Sequence, residues 1–300
     1  MERSSAMKLA SLRTEAGIVA AAVVDGEVVD LSIAAPELPG DVIGILALGP
    51  AGAEAVARAI GSGAGRRPLD LSELESPVQN PQKFIAVGRN YMEHVKEIGE
   101  ELPKDPTVFS KWNNTIAAPY ADVQLPAVSD RLDFECELGV VIGRRARHVS
   151  EENAALVIAG YTCINDFSVR DYQMMGGQWV LGKSFDGHGI VGPWIVTPDE
   201  IDPHNLPIRT IVNGETRQSS NTSNLIFTVE HLIAHLSGAM TLEPGDLIAT
   251  GTPGGVGVME NRYLNAGDVV RVEIDGIGAI ENRIVAEPAP VEFIADHAAL

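Results

Sequence analysis

Acidic residues recur at every second position in Asp133-Phe-Glu-Cys-Glu-Leu-Gly139. In an extended chain that period sends Asp133, Glu135 and Glu137 to one face and Phe134, Cys136 and Leu138 to the other. Carboxylates this close repel one another unless positive charge lies between them, and a hard divalent cation with oxygen ligands meets that need. Acids two apart are also what a solvated outer strand face looks like. The continuation Leu138-Gly-Val-Val-Ile142 is an apolar run suited to an interior strand, which turns the acids toward a cavity. In Tyr161-Thr-Cys-Ile-Asn-Asp166 an apolar strand ends in a polar turn, where Asp166 is placed to complete an oxygen site. Three carboxylates suit Mg²⁺ or Mn²⁺ and leave positions for water and a bidentate substrate. By the same alternation Cys136 and Cys163 face away from the acids, so both thiols are expected to pack and not to ligate.

A second constellation comes after the strand-like run Phe84–Val87. Gly88-Arg-Asn-Tyr-Met-Glu-His94-Val-Lys-Glu97 reads as a turn into a short helix, with His94 and Glu97 three apart on one helical face. A carboxylate there can orient an imidazole and raise its basicity, the layout of a general base, although an ordinary surface helix has the same spacing. Lys183 stands in an apolar, Gly-rich stretch, and a partly buried lysine needs an anion, whether a neighbouring carboxylate or a substrate. Thr250-Gly-Thr252-Pro-Gly-Gly-Val-Gly257 lacks the lysine and spacing of a nucleotide loop but can offer Thr252 and backbone N–H groups to a carboxylate.

The elements that must position these residues are mostly short strands. Asp25-Gly26 predicts a tight hairpin between Gly17–Val24 and Glu27–Leu31, and Ala51–Ile60 has helical periodicity that the Gly-rich 61–65 segment ends. Proline, serine and acids without periodicity over 68–80 predict a boundary, giving a small N-terminal part (1–75) and a main part (76–300). Beyond it, β-branched runs at 84–87, 138–142, 159–164, 208–212, 247–250, 269–274 and 279–285 predict a mainly β, mixed α+β fold, not a doubly wound one. Thr228–Leu236 is the clearest helix, with Val229, Leu232, Ile233 and Leu236 on one face. Residues 1–6 look detachable from the first strand, which begins after Met7.

With 300 residues the chain is long enough to bury a deep site. A formal net charge of −19 repels phosphate backbones and anionic bilayers, no basic run is dense enough to overcome it, and no apolar run approaches a membrane span. The expected partner is a small molecule, with no nucleic acid and no membrane. Two cysteines offer no disulfide framework and suit a reducing cytoplasm.

Taken in order, GRNYxxHxxE, FExELGVVIG, NDxxxRDxQ, GKSFD and TGTPxGVG resemble the fumarylacetoacetate hydrolase family from about Phe84 to Val258. That resemblance implies Glu135, Glu137 and Asp166 as ligands for Mg²⁺ or Mn²⁺, and His94 with Glu97 as a catalytic dyad on a mobile lid segment. It further implies Lys183 as a catalytic and substrate contact, and Arg89, Gln173 and Thr252 as substrate contacts. It implies a mixed β-sheet roll, a homodimer, and a small anionic 2-oxo acid as substrate. Ala86-Val-Gly88 stands where the founding hydrolase carries a further acidic ligand, so the chain resembles the shorter three-carboxylate branch. Family activities include C–C hydrolysis of acylpyruvates, decarboxylation of oxaloacetate-like acids, and hydratase or isomerase steps of aromatic catabolism. The leading expectation is a hydrolase of a 2,4-diketo acid that releases pyruvate or a similar 2-oxo acid. A 2-oxo acid decarboxylase is the second, and a silent metal-binding protein the non-enzymatic alternative.

Overall fold

A computed structural model describes residues 7–288, so the detachable leader expected at 1–6 lies outside the described residues. Asp25 and Gly26 both take positive φ, 51° and 80°, the left-handed pair that a two-residue hairpin turn requires. They join Gly17–Val24 to Glu27–Asp30 with Val24 opposite Glu27. The Ala-rich helix runs Pro50–Ser62, with proline at its first position, and ends on Gly63 in the left-handed region (φ 72°).

The larger of the two main sheets is the frame on which the site is built. Its long path runs Arg66–Pro68, Glu27–Asp30, Gly17–Val24, Lys8–Thr14, Gly189–Val196, Ile158–Asp166, Cys136–Ile142, Leu247–Ala249, Phe84–Gly88, Thr107–Lys111. Every neighbouring pair on this path is antiparallel except Leu247–Ala249 with Phe84–Gly88, which gives the mixed sheet expected from the sequence. Lys8 pairs with Val196 and Leu9 with Ile195, so the N-terminal strands belong to the same sheet as the rest. Within the proposed boundary, Leu74–Glu75 adds a strand beside Lys8–Thr14.

A smaller sheet, ordered Glu215–Asn221, Pro207–Val212, Val269–Ile274, Gly278–Ala286, Val123–Leu125, packs against this frame. Cys136, Leu138 and Val140 meet Ile208, Val270, Val272 and Ile280 in one buried cluster. On the opposite face Val141 joins Phe84, Ala86, Ile164 and Leu247 in a second. All seven residues of Cys136–Ile142 are consequently buried, as its apolar run implied. Helix Val229–Ala239 is capped by Thr228, whose side chain accepts from the His231 N–H, and it buries Val229, Leu232, Ile233 and Leu236. Each such side chain contributes roughly 1.5–3 kcal/mol. No helix among the described residues is long and apolar enough to cross a membrane.

His188 ties the two sheets together. It precedes the strand Gly189–Val196, is buried, stacks on Phe185, and its Nε2 lies 2.9 Å from the Gln124 carbonyl in the edge strand of the smaller sheet. That contact requires the proton on Nε2. Burial pulls its pKa from 6.5 down to about 4, so the folded chain refuses a proton that the unfolded chain accepts. Its contribution to stability is therefore complete above pH 6.5 and lost as pH falls toward 4, by about 3 kcal/mol. His188→Gln is expected to flatten that part of the urea-stability curve between pH 6.5 and 4, and curves of equal slope for variant and parent contradict it.

Candidate active site

Glu135, Glu137 and Asp166 converge where the start of Cys136–Ile142 meets the end of Ile158–Asp166: one carboxylate oxygen from each lies within 4.8 Å of the other two, and all three residues are buried. Cys136 pairs with Asn165 and Glu137 with Ile164, a register that sets the end of one strand beside the acids of the next. The turn is locked by Glu135 N–H donating to Asn165 Oδ1 at 3.0 Å and Asp166 N–H donating to the Glu135 carbonyl at 2.9 Å.

Asp133 departs from the expected face. The strand breaks after it, and its carboxylate accepts from the Gly257 and Val258 backbone N–H groups at 2.7 and 2.9 Å and from Arg170 Nε at 2.8 Å. It is a bracket for the Gly-rich loop and for Arg170, because a regular pleat does not extend through 134 and 135. Cys136 and Cys163 are both buried in the cluster facing the smaller sheet, away from the acids, as expected.

Three buried cations answer the carboxylates. Lys183 Nζ donates to Glu135 Oε2 and Asp166 Oδ2, each at 2.7 Å. Arg170 Nη1 donates to Glu135 Oε1 at 2.6 Å and to Gln173 Oε1 at 2.9 Å. Lys111 Nζ donates to Asp166 Oδ1 at 2.6 Å and to the carbonyls of Phe167 and Lys183. An ammonium has three protons. Those of Lys111 are all committed within the protein, whereas Lys183 has one to spare and lines the cavity. Spacing singles out neither Lys111 nor Arg170. Arg170 lies four residues after Asp166 inside the NDxxxRDxQ motif, while Lys111 sits at the end of a half-exposed edge strand with no local signal.

Burial alone would raise the Glu135 carboxyl, but Lys183 and Arg170 outweigh it and hold it at about 2. No cation among the described residues forms an ion pair with Glu137: burial, then Asp166 and Glu135, push it well above the usual carboxylate range against the weaker pull of Lys183 and the Gly251 N–H. Its Oε2 accepts from Gly251 N–H at 2.6 Å, the one hydrogen bond to this carboxyl among the described residues. Gly251 has φ of 109°, and a Cβ there would meet Asn90 Cβ at 2.7 Å, so this contact requires glycine. Four buried carboxyl groups (Asp133 included) face three cations, and the excess falls at Glu137, which burial holds toward its neutral form unless a further cation takes the proton's place. A hard dication with oxygen ligands fits that excess, and the second lone pairs of the hydrogen-bonded oxygens leave room for it.

The acids open onto a cavity of about 280 Å³ lined by His94, Glu135, Arg170, Gln173, Lys183 and Thr252 among others, and Arg89 lies on the same wall. His94 belongs to helix Met92–Glu97, and its Nδ1 approaches Glu97 Oε2 at 3.5 Å, ion-pair range without hydrogen-bond geometry. Glu97 in turn accepts from Gly255 N–H at 3.2 Å, linking the short helix to the Gly-rich loop. Thr252 Oγ1 accepts from Gln218 Nε2 at 2.9 Å. Arg89 is engaged by Glu100 at 2.8 Å. Asn90, fully buried, holds the base of this helix by donating to the Phe227 and Thr250 carbonyls.

Lys111→Met strands Asp166 Oδ1 and two carbonyls without their donor, and losing one partner of a buried pair costs about 3–5 kcal/mol. Urea unfolding is expected to show a loss of that size, and a loss below about 1 kcal/mol, the range of an exposed pair, contradicts the assignment.

Residues 83–285 match the family described as fumarylacetoacetate (FAA) hydrolase C-terminal. The mitochondrial oxaloacetate tautomerase fahd2 of Xenopus laevis is 42% identical over 265 residues, which cover 87% of this chain and 83% of that protein. The fumarylacetoacetate hydrolase of psychrophilic Exiguobacterium antarcticum superposes with a TM-score of 0.82 at 33% identity, covering 94% of this chain and 100% of that one. Maleylpyruvate hydrolase from Sphingobium sp. SYK-6, solved with manganese(II) and pyruvate, gives a TM-score of 0.77 at 33% identity over 93% of this chain and 99% of that one. Sequence, fold and the buried acidic cluster agree, and the chain belongs to the fumarylacetoacetate hydrolase family.

Proposed function

We propose that this chain is a metal-dependent enzyme that binds a 2-oxo acid by its head group and moves a proton at the carbon next to the 2-oxo group. The observation that carries the reading is the buried cluster of Glu135, Glu137 and Asp166, with Lys183 inside it and His94 lining the same cavity. Likeness to a manganese- and pyruvate-bound relative supports Mg²⁺ or Mn²⁺ as the metal and a 2-oxo acid as the ligand. Held by the three carboxylates, a divalent cation would act as a Lewis acid toward the 1-carboxylate and the 2-oxo oxygen.

The protein's own groups do the rest. The spare proton of Lys183 hydrogen-bonds the 2-oxo oxygen as negative charge builds there, and Arg170 adds a fixed positive charge beside it. Arg170 Nη2 is buried and has no partner among the described residues, which suits a donor kept for a ligand. His94 takes the proton from carbon 3, the C–H electron pair becomes the C2–C3 double bond, and Glu97, 3.5 Å from Nδ1, stabilises the positive charge that the imidazole gains. Returned to the 2-oxo oxygen, the proton completes a keto–enol tautomerisation, the reaction named for the Xenopus laevis relative.

Hydrolysis of a 2,4-diketo acid, the leading expectation from the sequence, is the second reading. It is favoured by the His94–Glu97 pair, which can deprotonate a water for attack on the distal carbonyl, and by likeness to a maleylpyruvate hydrolase. In that reaction the acyl group leaves with the water oxygen and the 2-oxo acid departs as its enolate.

Exhaustive dialysis against EDTA is expected to abolish turnover, and Mg²⁺ or Mn²⁺ to restore it. His94→Ala is expected to keep metal affinity but lose about 10²–10⁴-fold in turnover, with a smaller loss for Glu97→Gln. Full turnover with no metal by elemental analysis, or parental turnover in His94→Ala, contradicts the reading. Solvent ¹⁸O in a released acyl acid selects hydrolysis; exchange at carbon 3 without cleavage selects tautomerisation.

A further inference from the structure

The cavity changes character along its length. Lys183 Nζ lies 2.7 Å from Glu135 and 5.1 Å from the centre of the Phe109 ring. Phe109 meets Trp179 edge-on with ring centres 5.4 Å apart, and the Arg89 guanidinium lies 5.3 Å over Trp179. Glu100 then closes on Arg89 at the exposed end. This line runs from the buried carboxylates to solvent, and most of the cavity's remaining lining is apolar, with Ile98, Phe109, Met174, Trp179, Val256 and Met259 against the polar Gln173 and Thr252. A Cβ at Gly88 would meet the Trp179 ring at 2.4 Å, so the glycine is what lets the indole close against the end of its strand. At the rim Met174 is 76% exposed and Met259 36%, thioether surface left without a partner.

Positive charge is spent before it reaches this outer part. Among the cavity-lining residues the permanent cations are Arg89, Arg170 and Lys183. Lys183 and Arg170 lie against Glu135, within reach of a head group, and His94 faces Glu97. Arg89, alone in the outer part, is neutralised by Glu100 and covered by the indole. A second carboxylate carried there would lose its water against aromatic and thioether surface with Glu100 alongside, in a chain of net charge −19.

We infer that this enzyme selects 2-oxo acids whose distal end is an uncharged alkyl or aryl group, and discriminates against longer dicarboxylates. The inference rests on the reading of the carboxylate cluster as a metal-held 2-oxo acid site. It narrows the substrate class: the outer wall gains from each apolar carbon it buries, about fourfold in affinity per methylene, and has no free cation to offer a tail carboxylate.

Calorimetric titration of the Mg²⁺-loaded protein tests it, with oxalate as the head-group reference. 2-Oxopentanoate and 2-oxohexanoate are expected to bind at least tenfold more tightly than 2-oxoglutarate and 2-oxoadipate of the same chain lengths. Phenylpyruvate is expected to bind more tightly than pyruvate. Trp179→Ala should remove most of the tail-dependent gain while leaving oxalate affinity in place. Met174→Lys, a change at an exposed rim position, should narrow the alkyl-over-dicarboxylate ratio by about tenfold and supplies the test if the indole variant fails to fold. Dicarboxylates that bind as tightly as their alkyl counterparts, or ratios unmoved in a folded variant, overturn the inference while oxalate binding leaves the head-group site standing. Failure of oxalate to bind in the presence of Mg²⁺ overturns both.

Discussion

The structure depends on one electrostatic constraint: Glu135, Glu137 and Asp166 must stand within a few ångströms of one another out of water. An isolated buried carboxylate would take up a proton instead of keeping its charge. Here Lys183 sits between two of the three, Arg170 clamps Glu135 from the side, and Lys111 secures the far oxygen of Asp166. At Glu137 burial and repulsion outweigh Lys183 and the Gly251 N–H, and a dication answers that imbalance. Such an arrangement is poor value as a stability device, since apolar residues of similar volume would hold the fold as well. Its residues make sense as a binding site for a cation.

Much of the surrounding architecture derives from keeping these groups in place. The antiparallel register of Cys136–Ile142 with Ile158–Asp166 brings two strand ends together, and the Asn165 side chain fastens the bend between them. The loop after Leu247–Ala249 passes close enough for Gly251 N–H to reach Glu137, and Asp133 receives two further N–H groups from the same loop at 257 and 258. Glu97 accepts from Gly255 in that loop, so the helix bearing His94 and the wall bearing Thr252 are fixed to one segment. Movement of the loop would reach the metal ligands, the base and the cavity wall together.

How far the sequence anticipates this depends on the range of each interaction. The E-x-E alternation, the Asp25-Gly26 turn and the apolar stripe of Val229–Ala239 are local patterns, and each is found where spacing placed it. Asp133 shares the alternation but not the outcome, because the pleat breaks at 134 and 135 and the side chain is captured by a loop more than a hundred residues later. Lys111 is illegible for a related reason: its partners Asp166, Phe167 and Lys183 are distant in sequence, and a lysine ending a half-exposed strand looks like surface. The five ordered motifs carry the family, whereas the apolar outer wall is assembled from residues of four separate segments and emerges only in three dimensions.

Whether the three carboxylates hold a divalent cation is tested directly by crystals soaked in Mn²⁺ and measured at the manganese absorption edge. One strong anomalous peak is predicted about 2.0–2.3 Å from oxygens of Glu135, Glu137 and Asp166, with ordered water or oxalate completing the shell. An empty cluster under saturating Mn²⁺, with Lys183 and Arg170 still closing it, would contradict the claim.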